Sequence, residues 1–124
     1  MKIATLVFNP IQENTYIVWD ETKECVIIDA GNNGPREDIV IKNFIAEHGL
    51  TPKMAINTHG HFDHILDIPA LEKKFGSRIL CAENTAIPLM KWADVNPMCV
   101  YPLAPNLELD LDTVCIKALF GRHG

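Results

Sequence analysis

The first third of the chain alternates short apolar segments with residues that favour turns. β-Branched and aromatic side chains dominate these segments, and such residues fit a pleated, half-buried surface. We predict three β-strands from this pattern, at residues 2–8, 14–19 and 24–29. The third strand carries the nearly unbroken apolar run Cys25-Val26-Ile27-Ile28, which predicts burial of both of its faces.

The middle of the chain changes to a helical spacing of apolar residues. Ile41, Phe44 and Ile45 fall on one helix face, because residues three and four apart are neighbours on a helix. Pro35 suits the first turn and Gly49 the position after the last one, so we predict a helix over residues 35–48. Further predicted elements are a strand at 53–57, a helix at 65–75, a strand at 77–81 and a closing hairpin from 107–111 and 113–119. Four of the eight prolines lie between residues 88 and 105, which indicates a loop, with a short helix at 84–92.

This order of elements predicts an α/β (α+β) fold, with a mixed β-sheet and flanking helices in a single domain over residues 1–124. Apolar residues make up 48% of the chain and charged residues 22%, which is ordinary for a globular protein. There are 16 acidic and 11 basic residues, for a net charge of −5, and there is no basic run. We therefore expect neither nucleic acid nor a membrane as a partner.

The first residues, Met1 to Phe8, form an apolar stretch that is too short for a signal peptide and lacks a small-residue cleavage site. This predicts a cytoplasmic protein. The four cysteines are scattered and form no C-x-x-C pair. In a reducing compartment we expect them to be free thiols that pack as small core residues.

The chemistry is concentrated in the segment His59-Gly60-His61-Phe62-Asp63-His64, which holds three of the five histidines. Imidazole and carboxylate are ligands that zinc, iron and other first-row divalent metals accept. The segment follows a predicted strand, so His59 and His61 point the same way, while Asp63 and His64 fall near the start of the next helix. These residues predict a metal site at the end of the strand; a polar loop rich in histidine is the alternative.

The segment His59-x-His61-x-Asp63-His64 resembles the signature of the metallo-β-lactamase fold superfamily. The segments 14–18 (Asn-Thr-Tyr-Ile-Val) and 26–31 (Val-Ile-Ile-Asp-Ala-Gly) are similar to its small glyoxalase-II-like branch, the hydroxyacylglutathione hydrolases. The resemblance implies the N-terminal half of a four-layer αββα sandwich. It also implies a hydrolase that cleaves a small-molecule thioester or ester with a metal-bound hydroxide.

Residue by residue, the resemblance implies that His59 and His61 bind one metal ion and that Asp63 and His64 bind a second. Asp63 is also the candidate catalytic residue, because it could orient the attacking hydroxide. Asp29 would lie near the site without binding the metal. His123 lies close to the place of a further family ligand, and we include it as a candidate, with an ordinary terminal histidine as the alternative. The expected cofactor is one or two Zn²⁺ ions, with iron or manganese as alternatives.

The sequence has no counterpart of the family's later aspartate and last histidine, so we expect a chain truncated at its C-terminal side. Half a sandwich leaves one apolar sheet face uncovered, which is costly, and a homodimer is one way to cover it. Two other functions stay open. One is a non-catalytic metal-binding or interaction remnant of the family. The other is a di-iron redox domain, although His61 occupies the position where that group has an acidic residue.

Overall fold

A six-stranded mixed β-sheet forms the centre of the computed structural model, which describes residues 1–110 and 115–119. The strands, in their spatial order, are β1 (Lys2–Phe8), β2 (Glu13–Trp19), β3 (Glu24–Ile28), β4 (Thr51–Ile56), β5 (Arg78–Ala82) and β6 (Val100–Leu103). The pairs β1–β2 and β2–β3 are antiparallel, whereas β3 to β6 pair in parallel. The mixed α/β sheet predicted from the sequence is confirmed.

The strand register brings the start of β2 beside the end of β3. Tyr16 pairs with Ile28 in this antiparallel pair. Residues that precede Tyr16 therefore lie next to residues that follow Ile28. Glu13 and Asp29 meet in this way, although 16 positions separate them in the sequence.

Three helices connect the parallel strands: α1 (Pro35–His48), α2 (Ile68–Phe75) and α3 (Glu83–Trp92). Helix α1 begins with Pro35 and is followed by Gly49. The φ of Gly49 is 62°, a left-handed conformation that glycine adopts without strain. The buried side chains of all three helices join one face of the sheet in a single apolar core. Ile27 of β3 and Ile68 of α2 are completely buried there. Full burial of such a side chain stabilises the fold by about 1.5–3 kcal/mol.

The opposite face of the sheet borders an open cleft of about 1990 Å³. β7 (Glu108–Asp110) and β8 (Cys115–Lys117) form a separate two-stranded hairpin, and its strand β8 lines this cleft. Val26 and Ile28 face this cleft and are only half-buried, whereas Cys25 and Ile27 are buried. The prediction that both faces of β3 are buried is therefore wrong.

The segment between residues 82 and 106 is more regular than predicted. Helix α3 continues through Pro88, and β6 is a strand that the sequence pattern did not indicate. Pro102 of β6 lies opposite Cys81 of β5. β6 is an edge strand of the sheet, and proline is tolerated on edge strands because a residue there can turn its N–H side to solvent. The predicted closing hairpin forms with shorter strands, and residues 111–114 lie outside the described part.

Two smaller corrections concern α2 and the cysteines. Helix α2 begins at Ile68, three residues later than predicted, after a 3-10 turn over Phe62–His64. All four cysteines are free. Cys25 and Cys81 are core residues as expected, but Cys115 is exposed, so the core prediction is wrong for it. In the described ranges, no helix is long and apolar enough to cross a bilayer.

Candidate metal centre

The site begins where β3 and β4 end, because the carboxyl ends of parallel strands meet at one edge of a sheet. Asp29 directly follows β3, and its N–H donates to the carbonyl of Ile56 at 2.8 Å. Asn57 directly follows β4 and donates its N–H to the carbonyl of Leu80 at 2.8 Å. The sheet ladder thus continues one residue past each strand and fixes the backbone from which the histidine segment departs.

Asp29 anchors the start of the histidine segment. Thr58 donates its N–H to Oδ1 of Asp29 at 2.8 Å and its hydroxyl to Oδ2 at 2.6 Å. Asp29 has a φ of 52°, a left-handed conformation that aspartate tolerates better than most residues. This conformation turns the chain after β3 and is held by the surrounding hydrogen bonds.

The same threonine orients His59. The Thr58 hydroxyl oxygen lies 2.8 Å from Nδ1 of His59. A hydroxyl has one proton to donate, and Asp29 accepts it. Thr58 therefore accepts the Nδ1–H of His59, which makes Nε2 the ring nitrogen that carries the lone pair a metal ion needs.

Three side chains converge at this point. One ligand atom each from Asp29, His59 and His64 lies within 4.8 Å of the other two. The rings of His59 and His64 are 4.0 Å apart between centroids. The structure therefore brings together two of the predicted histidine ligands with Asp29, which we expected to lie near the metal without binding it. That Asp29 does not itself bind the metal stays a prediction.

The remaining predicted ligands lie around this group or outside the described residues. Oδ2 of Asp63 is 3.5 Å from Nε2 of His64, and the ring of His61 is 4.7 Å from that of His59. His61 is exposed and Asp63 is buried. His123 lies outside the described part of the chain.

Sequence reasoning missed one acidic residue of the site, Glu13. Its side chain is fully buried, and its Oε1 lies 3.6 Å from Nδ1 of His64. Burial, the largest cause, raises the pKa of Glu13 to about 7. Buried and exposed positions alternate along β2, so Glu13 shares a face with Thr15 and Ile17. The residue types along β2 do not reveal which face is buried, because Tyr16 and Val18 on the other face are apolar as well, so no sequence signal identified Glu13 as a buried residue.

Gly31 lies where the two sheet strands meet the histidine segment. A Cβ atom on Gly31 would overlap the carbonyl oxygen of Asp63 and Oε2 of Glu13, and it would lie 2.6 Å from Cδ of Glu13. Real Cβ atoms essentially never approach closer than 3.0 Å. Only glycine fits this position without displacing the site.

The donor set suits a divalent cation. The carboxylates of Glu13, Asp29 and Asp63 all lie within 3.6 Å of a ring nitrogen of His64. Within the described residues, Oε1 of Glu13 and Nδ1 of His64 are buried without a hydrogen-bond partner. A bound divalent cation would compensate a cluster of acidic groups and imidazoles of this kind, so the residues present fit the metal predicted from the sequence.

Comparison with known proteins identifies the family. The sequence profile of the metallo-beta-lactamase superfamily matches residues 8–113. The chain belongs to this superfamily.

Curated relatives include the probable metallo-hydrolase YqgX of Bacillus subtilis, which is 33% identical over 84 residues that cover 68% of this chain and 37% of that protein. The hydroxyacylglutathione hydrolase GloC of Haemophilus influenzae is 34% identical over 79 residues, which cover 64% of this chain and 35% of that protein. The chain thus spans about a third of the length of the curated relatives it matches.

Solved structures show the same fold. The B3 metallo-beta-lactamase BLEG-1 superposes with a TM-score of 0.73 at 21% identity, over 94% of this chain and 59% of that one. ETHE1 from Myxococcus xanthus superposes with a TM-score of 0.70 at 23% identity, over 94% of this chain and 47% of that one. The chain corresponds to about half of each of these structures, in agreement with the half-sandwich implied by the sequence.

Proposed function

We propose that this chain provides the metal site of a hydrolase that cleaves a small-molecule thioester or ester. The observation that carries the proposal is the convergence of Asp29, His59 and His64 at the carboxyl edge of the sheet. The named relatives support the substrate class, because hydroxyacylglutathione hydrolase is the description of one of them and an acylated thiol is a thioester. We propose Zn²⁺ as the cofactor, with iron or manganese as alternatives.

In this proposal the ligands are His59, His61, Asp63 and His64, with His123 as a further candidate. A bound divalent cation supplies Lewis acidity toward a water molecule and a scissile carbonyl. Thr58 holds His59 in the form that presents Nε2.

Asp63 is the proposed catalytic group. It is buried beside His64, where its carboxylate can accept a hydrogen bond from the attacking water and hold it in position.

The test combines metal analysis with turnover of a thioester by the purified chain. We expect the wild-type chain to bind Zn²⁺ and to hydrolyse the thioester, and His59→Ala to lose both properties. His48→Ala is the matched control, because His48 is an exposed histidine at the end of α1 and should change neither. Wild-type protein with no metal above trace, or His59→Ala with unchanged turnover, would rule out the proposal.

A metal-binding module without turnover of its own is the second candidate function. The observation that favours it is the extent of the match, because the aligned segments cover 37% or less of the curated relatives named above. Stoichiometric metal binding that depends on His59, without hydrolysis in the wild type, would support this candidate over the first.

A further inference from the structure

Glu13 is a buried acid that the proposed function does not yet use. Its side chain has no exposed area, and its Oε1 lies 3.6 Å from Nδ1 of His64. Both atoms are buried, and in the part of the chain that the structure describes neither has a hydrogen-bond partner. Burying a carboxyl group without a hydrogen-bond partner is costly. Nδ1 of His64 faces Oε1 of Glu13 and is therefore its candidate partner.

A metal-binding histidine needs an acceptor for its second ring nitrogen. When one nitrogen donates its lone pair to the metal, the other carries a proton, and a carboxylate or carbonyl oxygen that accepts this proton fixes the ring. Nε2 of His64 faces the candidate ligand Asp63 at 3.5 Å. Nδ1 is therefore the nitrogen that must donate to an acceptor.

Two carboxylates lie near this nitrogen. Oδ2 of Asp29 is 3.4 Å from Nδ1 of His64, but it already accepts the Thr58 hydroxyl at 2.6 Å. The other oxygen, Oδ1, accepts the Thr58 N–H at 2.8 Å, so both oxygens of Asp29 are already engaged by Thr58. Glu13 is the carboxyl whose Oε1 accepts no other bond among the described residues.

We propose that Glu13 is a positioning residue, which accepts the Nδ1–H of His64 and thereby presents Nε2 to the metal ion. This proposal rests on the proposed function, because the metal ion it refers to is the one that His59 and His64 would bind. The carboxyl group of Glu13 lies against the backbone of Gly31, at the place that a Cβ would occupy. Thr15 contacts its other oxygen at 3.0 Å, so Oε1 is held toward the ring.

The experiment compares Glu13→Leu, Glu13→Gln and the exposed control Glu21→Leu. We measure the Kd for Zn²⁺ by competition with a chromogenic chelator, and the protonation of the His64 ring nitrogens by ¹⁵N NMR of the metal-free protein. Glu13→Leu should weaken Zn²⁺ binding by about 10–100-fold, and Glu13→Gln, whose amide oxygen still accepts, by no more than about threefold. Glu21→Leu should bind like the wild type. In the metal-free wild type, His64 should carry its proton on Nδ1.

Thermal unfolding of the metal-free variants separates positioning from folding. Leucine removes a buried carboxyl group but leaves Nδ1 of His64 without its acceptor, so the two effects on stability oppose each other and Glu13→Leu should remain folded. A folded Glu13→Leu that binds Zn²⁺ within about twofold of the wild type would overturn the proposal, as would a wild-type His64 with its proton on Nε2. If Glu13→Leu does not fold, the NMR of the wild type and Glu13→Gln decides. Failure of the wild type to bind Zn²⁺ would reject the proposed function, while the NMR result still tests the role of Glu13.

Discussion

Replacement of Gly31 by alanine tests how closely the fold and the site depend on each other. The new methyl group would overlap the carbonyl oxygen of Asp63 and the carboxyl group of Glu13. The backbone oxygen cannot rotate away as the end of a long side chain can, so the segment that carries Asp63 must move. We expect both a loss of stability and a loss of metal affinity.

The magnitude follows from the contact geometry. The alanine Cβ would lie 2.6 Å from Cδ of Glu13, against a practical minimum of 3.0 Å. Overpacking of this kind costs about 1–3 kcal/mol. For a domain of this size that corresponds to a fall in Tm of about 4–12 °C. Because Asp63 moves with its backbone, we expect Zn²⁺ affinity to fall by about tenfold or more.

Gly49→Ala is the matched control for this experiment. Gly49 has a φ of 62°, and nothing lies within 4 Å of its added Cβ. Alanine there costs about 1–2 kcal/mol of backbone strain without a clash, and Gly49 precedes β4 whereas the histidine segment 59–64 follows it. Thermal unfolding and zinc competition on both variants give the comparison. If Gly31→Ala were as stable as the wild type, or if both variants bound Zn²⁺ equally well, the reasoning would be refuted.

Three other experiments have specific expected outcomes. Ile27→Ala should lower the free energy of unfolding by about 2–5 kcal/mol in urea denaturation, because Ile27 is fully buried in the core; a loss below about 1 kcal/mol would contradict that packing. In the native protein a thiol reagent should modify the exposed Cys115 rapidly and Cys25 only after unfolding, because burial raises the pKa of Cys25 to about 12; equal rates would be inconsistent with this burial. Thr58→Val removes the hydroxyl bond to Asp29 and should weaken Zn²⁺ binding by about tenfold; unchanged affinity would show that Thr58 does not orient the site.

The elements that were predicted well are those specified by local signals. Helix α1 has a helical apolar spacing, a proline at its start and a glycine after its end, and all three signals lie within the segment itself. Strand β6 was missed because its pattern is short and contains Pro102. It forms by pairing with β5, and such pairing is a tertiary interaction that a single segment does not reveal.

The candidate site shows the same contrast between residues marked by local sequence signals and residues brought in by tertiary pairing. The candidate histidine ligands could be proposed from the sequence because they are neighbours in it, whereas Glu13 is 51 positions from His64. The β2–β3 register brings Glu13 to the end of β3, and no motif marks it. Burial alternates along β2 in the structure, but Tyr16 and Val18 on the other face are apolar too, so the residue types did not indicate that Glu13 is buried.

X-ray absorption at the zinc edge of the zinc-loaded chain tests the central claim most directly. If His59 and His64 hold a common cation with carboxylate ligands, the spectrum will show scattering from at least two imidazoles, with nitrogen or oxygen neighbours at about 2.0–2.2 Å. A sulfur shell at about 2.3 Å would place the ion on the cysteines instead, and a spectrum without imidazole would show that these histidines do not share a metal ion.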